Sequence, residues 1–397
     1  MTAPLDAVQH RAHYGAMAEP EPARQAATGL PLPDSVALVL QGGGALGAYQ
    51  VGVFEALDAA RIQIDWVAGI SIGAVNAALI AGNPCERRLE RLHAFWDRIT
   101  EAIPAIALFN GDFGGDFGRE ALHESAAALV ATFGVPGFFR PRLIPPAFAP
   151  AGSMAALSVY DSAPLRETLD ALVDWDLLND GPMRFSVGAV EVESGNFRYF
   201  DNRTDRIDAR HVMASGALPP GLPPVEIDGK LWWDGGLVSN TPLSHIVENQ
   251  TEDMLAFQID LFAASSEPPR TIFDVMAREK EIRFSSRTRQ ISDQLIRSRR
   301  DQQLIARLLD KLPADMADDP DVVALRDRAR TSSLSLVQLI YRANRWEGGS
   351  RDYEFSQRTM RDHIAAGRAA IAETMSNSEL LARNIYDGRT AAFDLTR

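Results

Sequence analysis

The residues best placed to do chemistry are Gly69-Ile-Ser-Ile-Gly73, set between an apolar strand pattern, Ile64 to Ala68, and a helical run of small residues, Ala74 to Ala81. A serine at such a strand–turn–helix junction sits on a strained turn with its hydroxyl exposed, and the flanking glycines allow strand and helix to approach closely. Its place at a helix N-terminus favours developing negative charge. Ser71 is therefore a candidate nucleophile, able to form a covalent acyl intermediate. Upstream, Gly42, Gly43 and Gly44 close another apolar run. Consecutive glycines ahead of a helix can aim backbone N–H groups at one point, as an oxyanion hole requires.

A serine nucleophile also needs a base. The chain has seven histidines, of which His211 and His245 flank an interesting segment, but none has a persuasive triad context. Asp234, in Trp232-Trp-Asp-Gly-Gly236, follows a strand pattern and precedes two glycines, so its carboxylate can project from a strand end. An ordinary aspartate, with a pKa of about 3.9, is about three units short of an ideal base at neutral pH, a deficit on the order of 4 kcal/mol. Burial recovers part of that, and Trp232 and Trp233 are apolar neighbours in sequence. The bland reading of Asp234 is a turn-forming Asp-Gly.

A rival chemistry uses the same glycines. Gly42, Gly44 and Gly47 satisfy G-x-G-x-x-G, and Asp65 follows 18 residues later. That is formally a dinucleotide fingerprint with Asp65 on a ribose. It leaves Ser71 without a role.

These residues need elements to hold them. Ser35–Leu40 reads as a buried parallel strand, followed by a helix whose stripe includes Leu46, Tyr49, Val53 and Leu57. Two uncharged runs of membrane-span length, 35–54 and 66–85, read better as strand, glycine turn and helix. Strand and helix alternating at this density predict a mainly parallel sheet covered on both faces. Further on, 185–192 with 197–200 and 225–227 with 230–233 read as hairpins, and 254–262 as the sheet's last strand. After Pro268-Pro269 the composition shifts: 271–312 carry ten Lys/Arg against six Asp/Glu at helical apolar spacing, and the remainder also reads as helical. The expected division is a disordered leader 1–34, a catalytic domain 35–268 and a helical extension 269–397.

Composition narrows the function. With 46% hydrophobic and 23% charged residues, wholesale disorder is excluded. A net charge of −13 argues against broad electrostatic binding to nucleic acid or anionic lipid. One cysteine, Cys85, excludes an internal disulfide framework or a Cys-rich metal site. No secretory signal is visible in the first thirty residues, and the expected location is cytoplasmic, with peripheral contact at a membrane surface.

Three ordered motifs, Gly42-Gly-Gly-Ala-Leu-Gly47, Gly69-Ile-Ser-Ile-Gly73 and Asp234-Gly-Gly236, resemble those of the patatin-like phospholipases. Ala214-Ser-Gly-Ala-Leu-Pro-Pro220 and Pro223-Pro-Val225 add to the likeness, which covers about 35–262. The helical remainder, with Asp352-Tyr-Glu-Phe355, looks like the extension of a bacterial branch of that family. The resemblance implies a three-layer α/β/α fold and a serine lipid acyl hydrolase acting without cofactor or metal. It assigns Ser71 as nucleophile, Asp234 as base, and the amides of Gly42, Gly43 and Gly44 as the oxyanion hole. The implied partner is a lipid or related ester. One departure matters: Ala45-Leu46 stands where many members carry a basic residue, so "acyl hydrolase" is the firmer expectation than "phospholipase". A catalytically silent lipid-binding scaffold on the same fold is the alternative. Residues 134–148, with Phe138, Phe139, Phe148, Arg140 and Arg142, are a candidate lid or interfacial patch, against the plainer reading that the rings pack inside.

Overall fold

Alternate residues of the first strand enter two different cores, which fixes the architecture. Strand β1 (Ser35–Leu40) sends Val36, Leu38 and Leu40 into one apolar cluster, and Ala37 and Val39 into another. Side chains alternate across a sheet, so both of its faces are covered. The computed structural model describes residues 24–100, 125–329, 332–343, 347 and 349–396.

Strand β2 (Trp66–Gly69) lies parallel to β1, and a separate two-stranded ribbon joins β3 (Arg140–Pro141) to β4 (Tyr160–Asp161). The main sheet continues with β5 (Arg184–Glu191), β6 (Phe197–Asp201), β7 (Val225–Ile227), β8 (Lys230–Asp234), β9 (Met254–Asp260), β10 (Leu334–Ile340) and β11 (Ala391–Phe393). Its order is β11-β10-β9-β1-β2-β5-β8-β7, with β6 also on β5. Pairings from β11 through β5 are parallel; those of β6, β7 and β8 are antiparallel.

Helices α1 (Ala48–Ala59), α2 (Ile72–Ala81) and α3 (Arg88–Thr100) cover one face, joined by the helix Gln357–Ser376 through Ile364 and Ile371. All ten residues of α2 are buried, as expected of a helix that is apolar on every side. On the opposite face Leu243 and Ile246 of the helix Leu243–Glu248, and Ile296 of the long helix Ile272–Leu309, pack on β1 and β2. This is the three-layer, mainly parallel arrangement expected. The two uncharged runs are β1–α1 and β2–α2, and no described helix is long and apolar enough to cross a membrane.

Three expectations need correcting. Residues 269–397 are not all helix: beside four helices among the described residues they supply β10 and β11, which extend the central sheet. Leu334-Ser-Leu-Val-Gln-Leu-Ile340 is itself an apolar run that pairs in parallel along all seven positions of β9. β9 is therefore internal rather than last. The end of the leader is also ordered: Ala26 and Leu30 are buried, and Ala27 N–H donates to the Ala60 carbonyl at 2.8 Å. The rest of it, 1–23, lies outside the described residues, as does 101–124.

Candidate active site

Ser71 stands at the end of β2 and caps α2 with φ 55° and ψ −123°. A positive φ at a residue with a Cβ costs on the order of 1–3 kcal/mol and persists only where the surroundings enforce it. Here the glycines enforce it. A Cβ on Gly69 would lie 2.2 Å from the Gly73 carbonyl oxygen, and one on Gly73 would lie 2.4 Å from that of Leu40. Strand, turn and helix are thus in backbone contact, and the turn is closed by Gly73 N–H donating to Ile70 O at 2.8 Å. The Ser71 amide donates to Ser215 Oγ at 3.0 Å.

The glycine run ends β1 beside this turn. A Cβ on Gly42 would meet Ser71 Cβ at 2.9 Å, which fixes how close the loop comes to the serine. Gly42 N–H donates to the Asn240 carbonyl at 3.3 Å, and the Gly42 carbonyl accepts from Asn240 Nδ2 at 2.9 Å. Gly43 and Gly44 open the short helix Gly44–Gly47, where the first N–H groups have no intrahelical acceptor. Gly44 has φ +55°, and a Cβ there would lie 2.2 Å from the Asp352 carbonyl oxygen.

Gln41 anchors the loop from below. It is fully buried; its Oε1 accepts from the amides of Leu261 at 2.6 Å and Phe262 at 3.2 Å, and its Nε2 donates to Thr241 Oγ1 at 3.0 Å. Sequence reasoning overlooked Gln41 and Asn240. The available signal was a polar residue directly after an apolar strand, ahead of glycines.

Asp234 ends β8 and is buried. Its Oδ1 accepts from Gly236 N–H at 2.7 Å, and its own amide donates to Ala217 O at 3.1 Å. The Ser71 hydroxyl lies near this carboxylate and favours its charged form. Burial pushes its pKa up to about 7, against the opposing pull of the Gly236 amide and the Ser71 hydroxyl. Trp232, two residues back and on the same side of the strand, is buried with it.

The histidine alternatives have other partners. His211 completes the capping box of the helix Ala209–Ser215 with Asp208 and packs edge-on against Phe200. His245 Nε2 lies 3.1 Å from Asp201 Oδ2, and its ring stacks on Tyr199. The nucleotide reading fails on position. Asp65 precedes β2, where its Oδ2 accepts from Arg24 at 2.9 Å and from Val36 N–H at 2.8 Å. That is the opposite end of the strands from the glycine loop, roughly 20 Å away at ordinary strand rise.

Ser71, Asp234 and Gly42, Gly43 and Gly44 line one cavity of about 140 Å³. Its walls are largely apolar, including Phe138, Phe139, Leu218 and Leu222. Phe138 and Phe139 are thus walls of the pocket, whereas Phe148 is exposed. Phe284, Asp352, Tyr353 and Phe355 complete the lining, and all four come from beyond residue 268. Two ion pairs hold that C-terminal wall to the long helix: Lys280 Nζ with Asp352 Oδ1 at 2.8 Å, and Arg351 with Glu281.

A strained serine under a glycine loop, facing a buried carboxylate at the strand ends of a three-layer α/β/α sheet, defines the class. Residues 38–247 match the family described as patatin-like phospholipase, and residues 282–385 match one described as patatin phospholipase. The chain belongs to the patatin-like phospholipase family, a family of lipid acyl hydrolases. It is 24% identical over 248 residues to lysophospholipase NTE1 of Phaeosphaeria nodorum, covering 61% of this chain and 13% of that protein. It is 32% identical over 87 residues to mouse patatin-like phospholipase domain-containing protein 6, covering 20% and 6% respectively. The chain thus spans a small fraction of the length of these relatives. Among solved structures, VipD from Legionella pneumophila aligns with a TM-score of 0.41 at 16% identity, covering 89% of this chain and 70% of that one.

Proposed function

We propose that this chain is a serine acyl hydrolase that cleaves lipid or related carboxylic esters through an acyl-enzyme, with Ser71 as nucleophile and Asp234 as base. The observation that carries this reading is the buried Asp234 carboxylate, which lines one cavity with Ser71 and the glycine loop and is raised by burial to about 7. Burial supplies what an ordinary aspartate lacks, a proton affinity matched to neutral pH.

Ser71 Oγ attacks the ester carbonyl carbon as its proton passes to Asp234. The oxyanion is received by the amides of Gly43 and Gly44, because the Gly42 N–H is already given to Asn240. Collapse of the intermediate breaks the C–O bond, and the leaving alkoxide takes the proton back from Asp234. Water then attacks the acyl-serine, giving its proton to Asp234, and Ser71 leaves with a proton as the acid departs. The apolar walls hold the acyl chain. A cavity of about 140 Å³ suits one chain, since sites for larger ligands occupy roughly 300–1,000 Å³. Residues 35–268 supply the dyad and the amides in this reading, and 269–397 complete the wall. A peripheral, non-spanning contact with a lipid surface belongs to the same reading.

The test is hydrolysis of p-nitrophenyl esters across chain lengths by wild type, Ser71→Ala and Asp234→Asn. Each variant is expected to lose about 10⁴-fold in kcat/KM. A fluorophosphonate should label wild type and not Ser71→Ala. Full activity in Asp234→Asn would move the base elsewhere. Wild type that neither hydrolyses nor labels would leave a silent lipid-binding scaffold.

A further inference from the structure

On the rim of the pocket several large apolar side chains lie uncovered. Leu143 is wholly exposed, Phe148 is 80% exposed, and Ile144, Met154, Leu157 and Val159 are exposed beside them. All belong to the excursion 142–159, which leaves and rejoins the fold through β3 and β4. Its roots are walls of the cavity: Phe139 precedes β3 and Tyr160 lies in β4. Val159 N–H donates to Pro220 O at 3.1 Å and Tyr160 N–H to Gly221 O at 2.9 Å, tying the root to a stretch in which Gly221 also lines the pocket. Whatever covers the excursion therefore sits at the pocket entrance.

We infer that this excursion is an anchor that inserts into a lipid surface and seats the pocket mouth on it. The inference rests on the hydrolase reading for its purpose but not for its test. Three observations choose a lipid surface as the occupant. First, charge: residues 133–160 contain Arg140 and Arg142 and no Asp or Glu, in a chain whose net charge is −13. Arg140 pairs with Asp161, whose carboxylate also feels the charge of Arg142, while the Arg142 guanidinium donates to Ser158 Oγ; two arginines against one carboxylate leave a net positive root facing an anionic headgroup.

Second, the backbone is suited to the headgroup layer. Pro145, Pro146 and Pro150 carry no N–H, and the amides of Phe148, Ala149, Ser153, Ala156 and Leu157 bond within the excursion. Insertion by the 5–10 Å typical of interfacial segments leaves the remaining amides, those of Leu143 and Ile144 among them, to headgroup oxygens and interfacial water. Third, the tip presents neither an open strand edge nor an amphipathic helix, two recurring elements of peptide recognition. Leu237 and Val238, next in sequence to pocket-lining Gly236, are exposed as well.

The test compares the full chain with Leu143→Ser/Ile144→Ser/Phe148→Ser, three exposed residues outside the pocket lining. Co-sedimentation with phosphatidylcholine vesicles, with and without phosphatidylglycerol, reads binding. Hydrolysis of soluble p-nitrophenyl butyrate reads the site without an interface. Wild type should sediment, more so with phosphatidylglycerol. The triple variant should bind vesicles at least about tenfold more weakly while hydrolysing the soluble ester as wild type does. Leu380→Ser/Tyr386→Ser, which removes comparably exposed apolar groups elsewhere, should bind as wild type. Equal binding by the triple variant, or no vesicle binding by wild type, overturns the anchor. So does a wild-type dimer that the triple variant dissociates without change in vesicle binding, because a second copy then covers the surface. If wild type is inert toward soluble ester yet sediments in a manner that depends on these three residues, the anchor stands and the hydrolase reading falls.

Discussion

Asp234 is a carboxylate whose proton affinity the fold raises by hiding it from water, and the same burial has two consequences that move with pH. The first is kinetic. In the proposed role of base Asp234 must be ionised, so kcat/KM for a soluble ester should rise with pH through a midpoint near 7 and then level off. An aspartate at its ordinary pKa would give a flat profile from about pH 5 upward. The second is thermodynamic. Between the unfolded pKa, about 3.9, and the folded value, the native state binds the extra proton. Stability contributed by this group is therefore full below about pH 4, lost as pH rises to about 7, and constant above, with a limiting slope of about 1.4 kcal/mol per unit. Asp234→Asn has no proton to lose. Thermal unfolding at pH 5 and pH 8 should show the variant gaining on wild type at the higher pH while turnover is abolished. Asp260 is likewise buried and raised to about 7, so wild type alone cannot isolate the effect; the difference between the two proteins does. A pH-independent difference would mean that Asp234 is charged in the native state throughout.

At the scale of elements, backbone meets backbone where the sequence offers glycine, and the pattern runs beyond the site. A Cβ on Gly367 would lie 2.2 Å from Tyr49 O, and one on Gly52 would lie 1.9 Å from Ile364 O, so α1 and the helix Gln357–Ser376 cross in direct contact. Alanine is the better helix former by about 1 kcal/mol, but the clashing atoms are main-chain and have no rotamer to change. The clash should win, and Gly367→Ala should lose about 1–3 kcal/mol in urea unfolding. Gly216→Ala, whose nearest neighbour would be 3.9 Å away, should cost far less. This contrast also explains what was legible beforehand. The Gly69–Gly73 turn, the glycine loop and the Asp228-Gly229 hairpin announce themselves because local backbone geometry demands those residues in that order. Gly367 carries no such local signature, since its reason lies in a helix more than three hundred residues earlier. Asn240 was illegible for the same cause, since its partner Gly42 is remote in sequence; Gln41 had a local signal in its place between strand and glycines, but its partners Thr241, Leu261 and Phe262 are equally remote. The ordered end of the leader, held by Arg24 on Asp65, depends on a pairing across 41 residues.

Over the whole molecule, the composition shift at residue 268 marks a change of surface rather than the end of the structural unit. The charged face of Ile272–Leu309 dominates the local sequence, while β10 contributes seven residues to the sheet's parallel run and is easily overlooked among helices. Without 269–397, the β9 edge that pairs with β10 is left open along seven buried positions. Ile296 is lost from one core, Ile364 and Ile371 from the other, and Phe284, Tyr353 and Phe355 from the pocket wall. An open, flat, apolar edge is a template for association, and no charge or proline within Met254–Ile259 blunts it. The 1–268 fragment is therefore expected to accumulate as aggregates in size-exclusion chromatography and to lack measurable ester hydrolysis, even though it retains Ser71, Asp234 and the glycine loop. A monomeric fragment with wild-type turnover would show that the sheet tolerates an open β9 edge and that the dyad needs no wall from the extension. A monomeric but inactive fragment would separate the two roles, assigning to the extension the closing of the acyl pocket by the segment that Lys280 and Glu281 hold over Gly44.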